Sequence, residues 1–249
     1  MPATGAVGND SIVHFITPTQ GGIFTEAQKY YEAYDQRYKQ VHGKELLWFQ
    51  QTPSPIVMDI LREFGLTPDH HILEIGCGEG RDAYALMNAG YPVLAADVSP
   101  EAIRFCKEKF PEFASRFTVL DCLKDVPEIR FDFIYAVAVL HMFVPDEDRD
   151  AFYGFIRDSL TDTGICLICA MGDGVMERQT DIAKAFDIAP RVHGETGETM
   201  LLSGTSCRMV PFDVFKEEIQ RNGLIIRKDG ITSVPPDFPV MMYAVVSRK

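Results

Sequence analysis

Basic residues are scarce in this chain: 24 lysines and arginines stand against 36 aspartates and glutamates, a formal charge of −12. Binders of a phosphate backbone cluster Lys and Arg on one face, and no such cluster occurs here, so nucleic acid is not an expected partner. No apolar run approaches the roughly 18 residues that a membrane span requires. The opening stretch MPATGAVGNDSIVHFITPTQGG lacks the basic start and long apolar core of a secretory signal, so the expectation is a cytoplasmic protein with no membrane partner. Six irregularly spaced cysteines are too few for a disulfide scaffold. The one CxxC, Cys166 to Cys169, lies in the apolar stretch GICLICAM. A strand sends residues three apart to opposite faces, so these read as packed thiols rather than a redox or metal pair.

What remains is the composition of one globular domain, 46% hydrophobic and 24% charged over 249 residues. Thr25 and Gln28, in capping-box spacing, predict a helix that carries Tyr30, Tyr34 and Tyr38 as an aromatic stripe at i, i+4 and i+8. SPIVMDILREFG predicts a second helix, with Ser54 as N-cap, Pro55 at the first helical position and Gly65 as the stop. From residue 71 strands and helices alternate: HILEI, GRDAYALMNAG, PVLAAD, SPEAIRFCKEKF, FTVLD, FDFIYAVAV, a helix over 146–160 ending at Gly164, and ICLICAM. Apolar strands joined by helical crossovers predict an α/β fold, a doubly wound parallel sheet with helices on both faces. The stretch 172–210 breaks this rhythm, and so long a connection is usually functional. A helix (PFDVFKEEIQRNG), a strand (LIIRKDGIT), a Pro-Pro turn at 235–236 and a final strand (VMMYAVV) close the chain.

The glycine loop after the first of these strands, EIGCGEGRD, carries Gly76, Gly78 and Gly80. A phosphate-binding loop needs Lys and Ser or Thr after its last glycine, and here Arg81 and Asp82 follow. A dinucleotide loop needs a small residue where Arg81 stands, which weakens that reading without excluding it. With Glu74 closing the first strand, Asp97 the second and Asp121 the third, the pattern resembles class I S-adenosylmethionine-dependent methyltransferases. The resemblance covers about residues 54–170, and GCGEGRDAYALMNAGYPVLAADVSPEAI is most similar to small-molecule members of the tellurite-resistance and thiopurine type.

That resemblance implies a Rossmann-like seven-stranded sheet, mostly parallel with an antiparallel last strand, and S-adenosylmethionine as cofactor. It implies cofactor contacts at Glu74, Gly76, Cys77, Gly78, Gly80, Arg81, Asp97, Val98 and Ala136, with Asp121 and Cys122 meeting the adenine. Residues 54–171 would form the cofactor-binding core of a single domain, 1–53 a helical lid, 172–210 an acceptor-side insert and 211–249 a closing helix and strands. The chemistry agrees: this cofactor has no phosphates, so glycines serve close backbone approach, and its cationic amino and sulfonium groups suit the carboxylate of Glu74. Asp97, 17 residues past Gly80, sits where an acidic side chain accepts both ribose hydroxyls.

By resemblance, 136–140 would line the methionine end and His141 the acceptor side. The Asn- or Asp-Pro-Pro-aromatic run of members that methylate bases and glutamine is missing, which counts against those acceptors. His141 is the candidate base, since its unperturbed pKa lies near neutrality. The acceptor pocket is expected from Tyr30, Tyr34, Trp48 and His141, and the acceptor is expected to be a small molecule. No metal is expected: His193, Glu195 and Glu198 have no helix to fix their spacing. A non-catalytic module binding S-adenosylmethionine or S-adenosylhomocysteine, and a nucleotide-cofactor oxidoreductase on the same sheet, are the alternatives.

Overall fold

The computed structural model describes residues 15–16, 29–48, 52–193 and 196–249. Seven strands form the main sheet: β1 (Ile72–Ile75), β2 (Val93–Asp97), β3 (Phe117–Val119), β4 (Phe131–Val137), β5 (Leu160–Met171), β6 (Leu224–Val234) and β7 (Phe238–Arg248). Their order is β6-β7-β5-β4-β1-β2-β3. The pairs β1/β2, β1/β4, β2/β3 and β4/β5 are parallel, while β7 runs antiparallel to both β5 and β6.

Among the described residues six α-helices accompany the sheet: α1 (Ala33–His42), α2 (Pro55–Glu63), α3 (Arg81–Asn88), α4 (Pro100–Lys109), α5 (Asp146–Ser159) and α6 (Phe212–Arg221). Strand residues alternate between two cores. Phe133, Tyr135, Ile165, Leu167 and Cys169 pack with α2, α3 and α4, whereas Ile134, Ala136, Cys166 and Ile168 pack with α5 and α6. Cys166 and Cys169 thus lie on opposite faces, both as buried free thiols. At the edge of the α5/α6 layer, Arg149 donates from Nε and Nη2 to both carboxylate oxygens of Glu218, at 2.8 and 2.6 Å, and Tyr153 Oη donates to the same carboxylate at 3.0 Å. No helix of the described residues is long and apolar enough to cross a membrane.

Several boundaries differ from the sequence reading. Tyr30 precedes α1, in a 3₁₀ turn over Tyr30–Glu32, and Thr25 and Gln28 lie outside the described residues. Ser54 holds the N-cap position of α2 without capping it, because its hydroxyl donates to Asp82 at 2.7 Å. Helix α5 ends at Ser159 and the chain passes directly into β5, so Gly164 terminates no helix. It lies inside the strand, where a Cβ would stand 2.8 Å from the Phe131 carbonyl oxygen. β3 stops at Val119, which leaves Asp121 in the turn beyond.

The stretch 172–210 contains two short antiparallel pairings among its described residues. Ile188–Val192 and Thr199–Ser203 form an antiparallel hairpin, and Arg178–Gln179 pairs with Arg208–Met209. Met200 and Leu202 of the hairpin pack on Val41 of α1, beside Leu46 and Trp48. Ser203 N donates to Gln40 Oε1 at 2.7 Å. His193, buried, makes a 2.6 Å contact with the Leu47 carbonyl through Nε2 and accepts from Thr196 N through Nδ1, so it pins the hairpin to the segment after α1.

Candidate functional site

The strand-to-helix turn after β1 is built by three left-handed glycines, with φ of 71° at Gly76, 52° at Gly78 and 78° at Gly80. A side chain would collide as well as strain: a Cβ on Gly76 would lie 2.4 Å from Val139 Cγ2, and one on Gly78 would lie 2.7 Å from the Tyr38 hydroxyl. Gly76 N and Cys77 N both donate to the Ala96 carbonyl, at 2.7 and 2.9 Å, which welds the loop to the end of β2. There Asp97 accepts from Gly78 N at 2.8 Å and from Ser99 N at 2.9 Å. Burial pushes its pKa up to about 6, against the stabilising backbone hydrogen bonds. Glu74 is buried as well, and accepts from Tyr135 Oη at 3.0 Å. Burial first, and then the nearby Asp82, push its carboxyl well above the usual range.

Above this loop lies a cavity of about 440 Å³, within the range of small-ligand sites. Its floor is Glu74, Gly76, Cys77, Gly78, Asp97 and Val98, together with Val137 at the end of β4 and Ala138 and Val139 just beyond it. Ala138 itself is left-handed at φ 60°, which is uncommon for a residue with a side chain. Helix α1 roofs the loop: Tyr38 lies over Gly78, and His42 bridges Glu79 and Glu101 at 3.0 and 2.8 Å. Burial works against charge on His42, but the two carboxylates outweigh it and raise its pKa. The cavity is also lined by Tyr34, Arg37, Trp48, His141, Arg191, Thr205, Ser206, Cys207 and Phe238.

His141 stands out chemically. It is 4% exposed, and its Nδ1 has no hydrogen-bond partner among the described residues. Burial, reinforced by the Arg149 cation, pushes its pKa down to about 4, so at neutral pH the imidazole is uncharged.

The cavity thus brings together Glu74, Gly76, Cys77, Gly78, Arg81, Asp97, Val98, Tyr34, Trp48 and His141. Others are placed elsewhere. Gly80 shapes the turn from beneath, where a Cβ would meet Cys106, Phe110 and Phe117. Tyr30 does not line the cavity; it donates to Asp148 at 2.6 Å, because the 3₁₀ turn rotates it off the face shared by Tyr34 and Tyr38. Asp121 also lies outside the lining, its carboxylate accepting from Tyr31 Oη at 2.8 Å. Cys122 and Ala136 are buried in the core of the α5/α6 face. Arg81 reaches the cavity, but its Nη2 donates to Ser54 Oγ at 2.8 Å and to Asp82 at 3.0 Å. Glu195 lies outside the described residues, and no cluster of metal-binding side chains occurs among the described ones.

Sequence reasoning passed over Arg37, Glu79, Arg191 and Phe238. Arg37 carried one available signal, a cation set between Tyr34 and Tyr38. The other three take their meaning only from elements that fold over the loop.

A family model described as a methyltransferase domain matches residues 72–164. Among solved structures, the CcbJ methyltransferase from Streptomyces caelestis aligns at 14% identity with a TM-score of 0.63, covering 89% of this chain and 99% of that one. A protein described in the conversion of a disulfide bond into a thioacetal group during echinomycin biosynthesis aligns at 21% identity and 0.62, covering 88% and 93%. The glycopeptide N-methyltransferase MtfA complexed with sinefungin aligns at 16% and 0.60, covering 80% and 87%. At these identities the structural likeness is one of fold. The family match runs from β1 into β5, the part of the sheet that builds the glycine loop, so this stretch of the chain matches a methyltransferase domain.

Proposed function

We propose that this protein transfers the methyl group of S-adenosylmethionine to a small-molecule acceptor held in the cavity beneath α1 and the 188–203 hairpin. The observation that carries the acceptor class is enclosure: the glycine loop and His141 line one cavity of about 440 Å³, roofed by elements that pack on each other. A site of that size, covered in that way, suits a metabolite better than a folded macromolecule.

The residues fit the cofactor. The glycines let backbone come close, Glu74 and Asp97 offer carboxylates, and the one cation at the loop, Arg81, is committed to Asp82 and Ser54 rather than free for a pyrophosphate. That commitment counts against the oxidoreductase alternative. On this reading Glu74 and the 76–78 backbone hold the methionine end, Asp97 and Val98 the ribose, and Tyr38 covers the loop. Bound there, S-adenosylmethionine supplies an activated methyl group for in-line displacement by the acceptor atom. The protein's own work is alignment and exclusion of water. His141, neutral and unpartnered at Nδ1, can take a proton from an acceptor hydroxyl or amine. Residues 54–171 then form the core of one domain, with 1–53 as lid, 172–210 as acceptor-side insert and 211–249 as closing unit.

Calorimetric titration with S-adenosylmethionine, S-adenosylhomocysteine and NAD tests the reading. Micromolar binding of the two adenosyl sulfur compounds, about −8 kcal/mol, weakened in Asp97→Ala, is expected. Binding of NAD instead would overturn it. Retained cofactor affinity without turnover on any acceptor would favour the non-catalytic alternative.

A further inference from the structure

Three cations line the cavity, and they are not treated alike. Arg81 faces Asp82 at 3.0 Å and Asp237 at 3.8 Å. Arg37, on α1, is 5% exposed and meets only neutral oxygens. Its Nε and Nη2 donate to the Ser203 carbonyl at 3.2 and 2.8 Å, and Nη2 also reaches the Gly204 carbonyl at 2.6 Å and Thr205 Oγ1 at 3.3 Å. Among the described residues its Nη1 has no hydrogen-bond partner, and neither Arg37 nor Arg191, on the hairpin, has a carboxylate within ion-pair distance. The Arg37 guanidinium lies 4.7 Å from the Trp48 ring and 5.4 Å from the Tyr34 ring.

The acids that line the cavity are engaged by other groups: Asp97 by the loop amides, Glu79 by His42 and Trp48 N, Asp82 by Arg81 and Ser54, and Glu74 by Tyr135, while Asp237 faces Arg81 at 3.8 Å. A buried guanidinium without a counter-ion is expensive, and a second arginine beside it makes it more so. Burial and the Arg191 cation indeed both work to lower the Arg37 pKa. If the only task were to brace Ser203 and Gly204, a neutral amide would serve. The arrangement is complete only when an anion lies between the arginines, and a guanidinium fork is matched to carboxylate and phosphate.

We propose that Arg37 and Arg191 form an anion subsite at the acceptor end of the cavity, and that the methyl acceptor carries a carboxylate or phosphate group. This rests on the cofactor reading above and adds the substrate class to it. The flat faces of Trp48 and Tyr34 beside the guanidinium suit an aromatic or otherwise planar body on the acceptor.

The chain's one tryptophan stands at the subsite and supplies the readout. The full chain, saturated with S-adenosylhomocysteine, is titrated with benzoate and phenyl phosphate, and with benzamide and benzyl alcohol as neutral matches, while Trp48 fluorescence is followed. The anions are expected to half-saturate at concentrations at least tenfold below the neutral matches. Arg191→Gln, an exposed position, should remove most of that preference while changing S-adenosylhomocysteine affinity less than twofold, and Arg37→Gln should do the same if it folds. Equal response to neutral and anionic probes, or no saturable response to either anion, overturns the proposal. So does loss of S-adenosylhomocysteine binding in Arg191→Gln with 5′-methylthioadenosine binding retained, since the anion would then be the cofactor's own carboxylate. Failure of wild type to bind S-adenosylhomocysteine at all would bring down the cofactor reading itself, a result distinguishable from the others.

Discussion

Gly76 separates two costs that a glycine can hide. Gly65 has nearly the same φ, 67° against 71°, but a Cβ there would meet nothing within 4 Å, whereas one on Gly76 would meet Val139 at 2.4 Å. Gly65→Ala should therefore cost only the left-handed strain, about 1–2 kcal/mol, with cofactor affinity unchanged. Gly76→Ala should cost more in urea unfolding and abolish cofactor binding; equal costs would show that the loop is only a turn. Asp97 and His141 make opposite pH signatures. The folded pKa of Asp97, about 6, lies above its ordinary value of 3.8, so its contribution to stability is present below pH 4 and lost as pH rises through 6. That of His141, about 4, lies below 6.5, so stability is lost as pH falls from 6.5 to 4. Relative to Asp97→Asn, wild type should lose stability on the order of 3 kcal/mol from pH 4 to 7, and relative to His141→Gln it should gain a similar amount. If Asp97 holds the ribose as proposed, cofactor affinity should weaken below pH 6 in wild type, where its carboxylate is protonated, and stay flat in Asp97→Asn. The acidic residues and glycines of the loop were legible because their chemistry is local. Arg37 was not, since its partners lie more than 160 residues away.

At the scale of elements, the Arg149–Glu218 pair joins α5 to α6 with both side chains almost wholly buried, at 1% and 0% exposure. Arg149 also donates to the Leu140 and Phe143 carbonyls, on either side of His141. Glu218→Leu alone should destabilise by about 3–5 kcal/mol, because it leaves a buried cation unpaired. Adding Arg149→Met should recover much of that loss, and thermal unfolding of the single and double variants checks it. Recovery of stability without recovery of turnover would show that Arg149 also positions the His141 turn. Most elements were readable in advance where a local signal marks them: the Ser-Pro pair that opens SPEAIRFCKEKF is such a signal, and Ser99 caps α4 through Ala102 N at 3.1 Å with Pro100 behind it. Gly164 misled because a glycine after a helix looks like its stop, while its real reason, close passage of the Phe131 carbonyl, comes from a neighbouring strand. The hairpin in 172–210 was illegible for a similar reason: its apolar residues complete α1 rather than a core of their own.

The net charge of the molecule, −12, conceals a division inside it. Acids and arginines line one cavity, and two of those arginines have no carboxylate partner among the described residues, a pattern that no composition reveals and that arises only once α1 and the hairpin fold over the sheet. The sheet itself was largely legible, since its alternation of strand and helix follows chain order, whereas the cover was not. That cover has a kinetic consequence. Helix α1 lies on the glycine loop through Tyr38 and His42 and lines the cavity through Tyr34 and Arg37, so on the proposed reading donor and acceptor share one door. Lifting α1 to exchange the nucleoside also dismantles the acceptor wall. Turnover should then follow a compulsory order, donor first and its demethylated product last. S-adenosylhomocysteine should inhibit competitively against S-adenosylmethionine and noncompetitively against the acceptor, and a random-order pattern would mean that the hairpin opens without the helix.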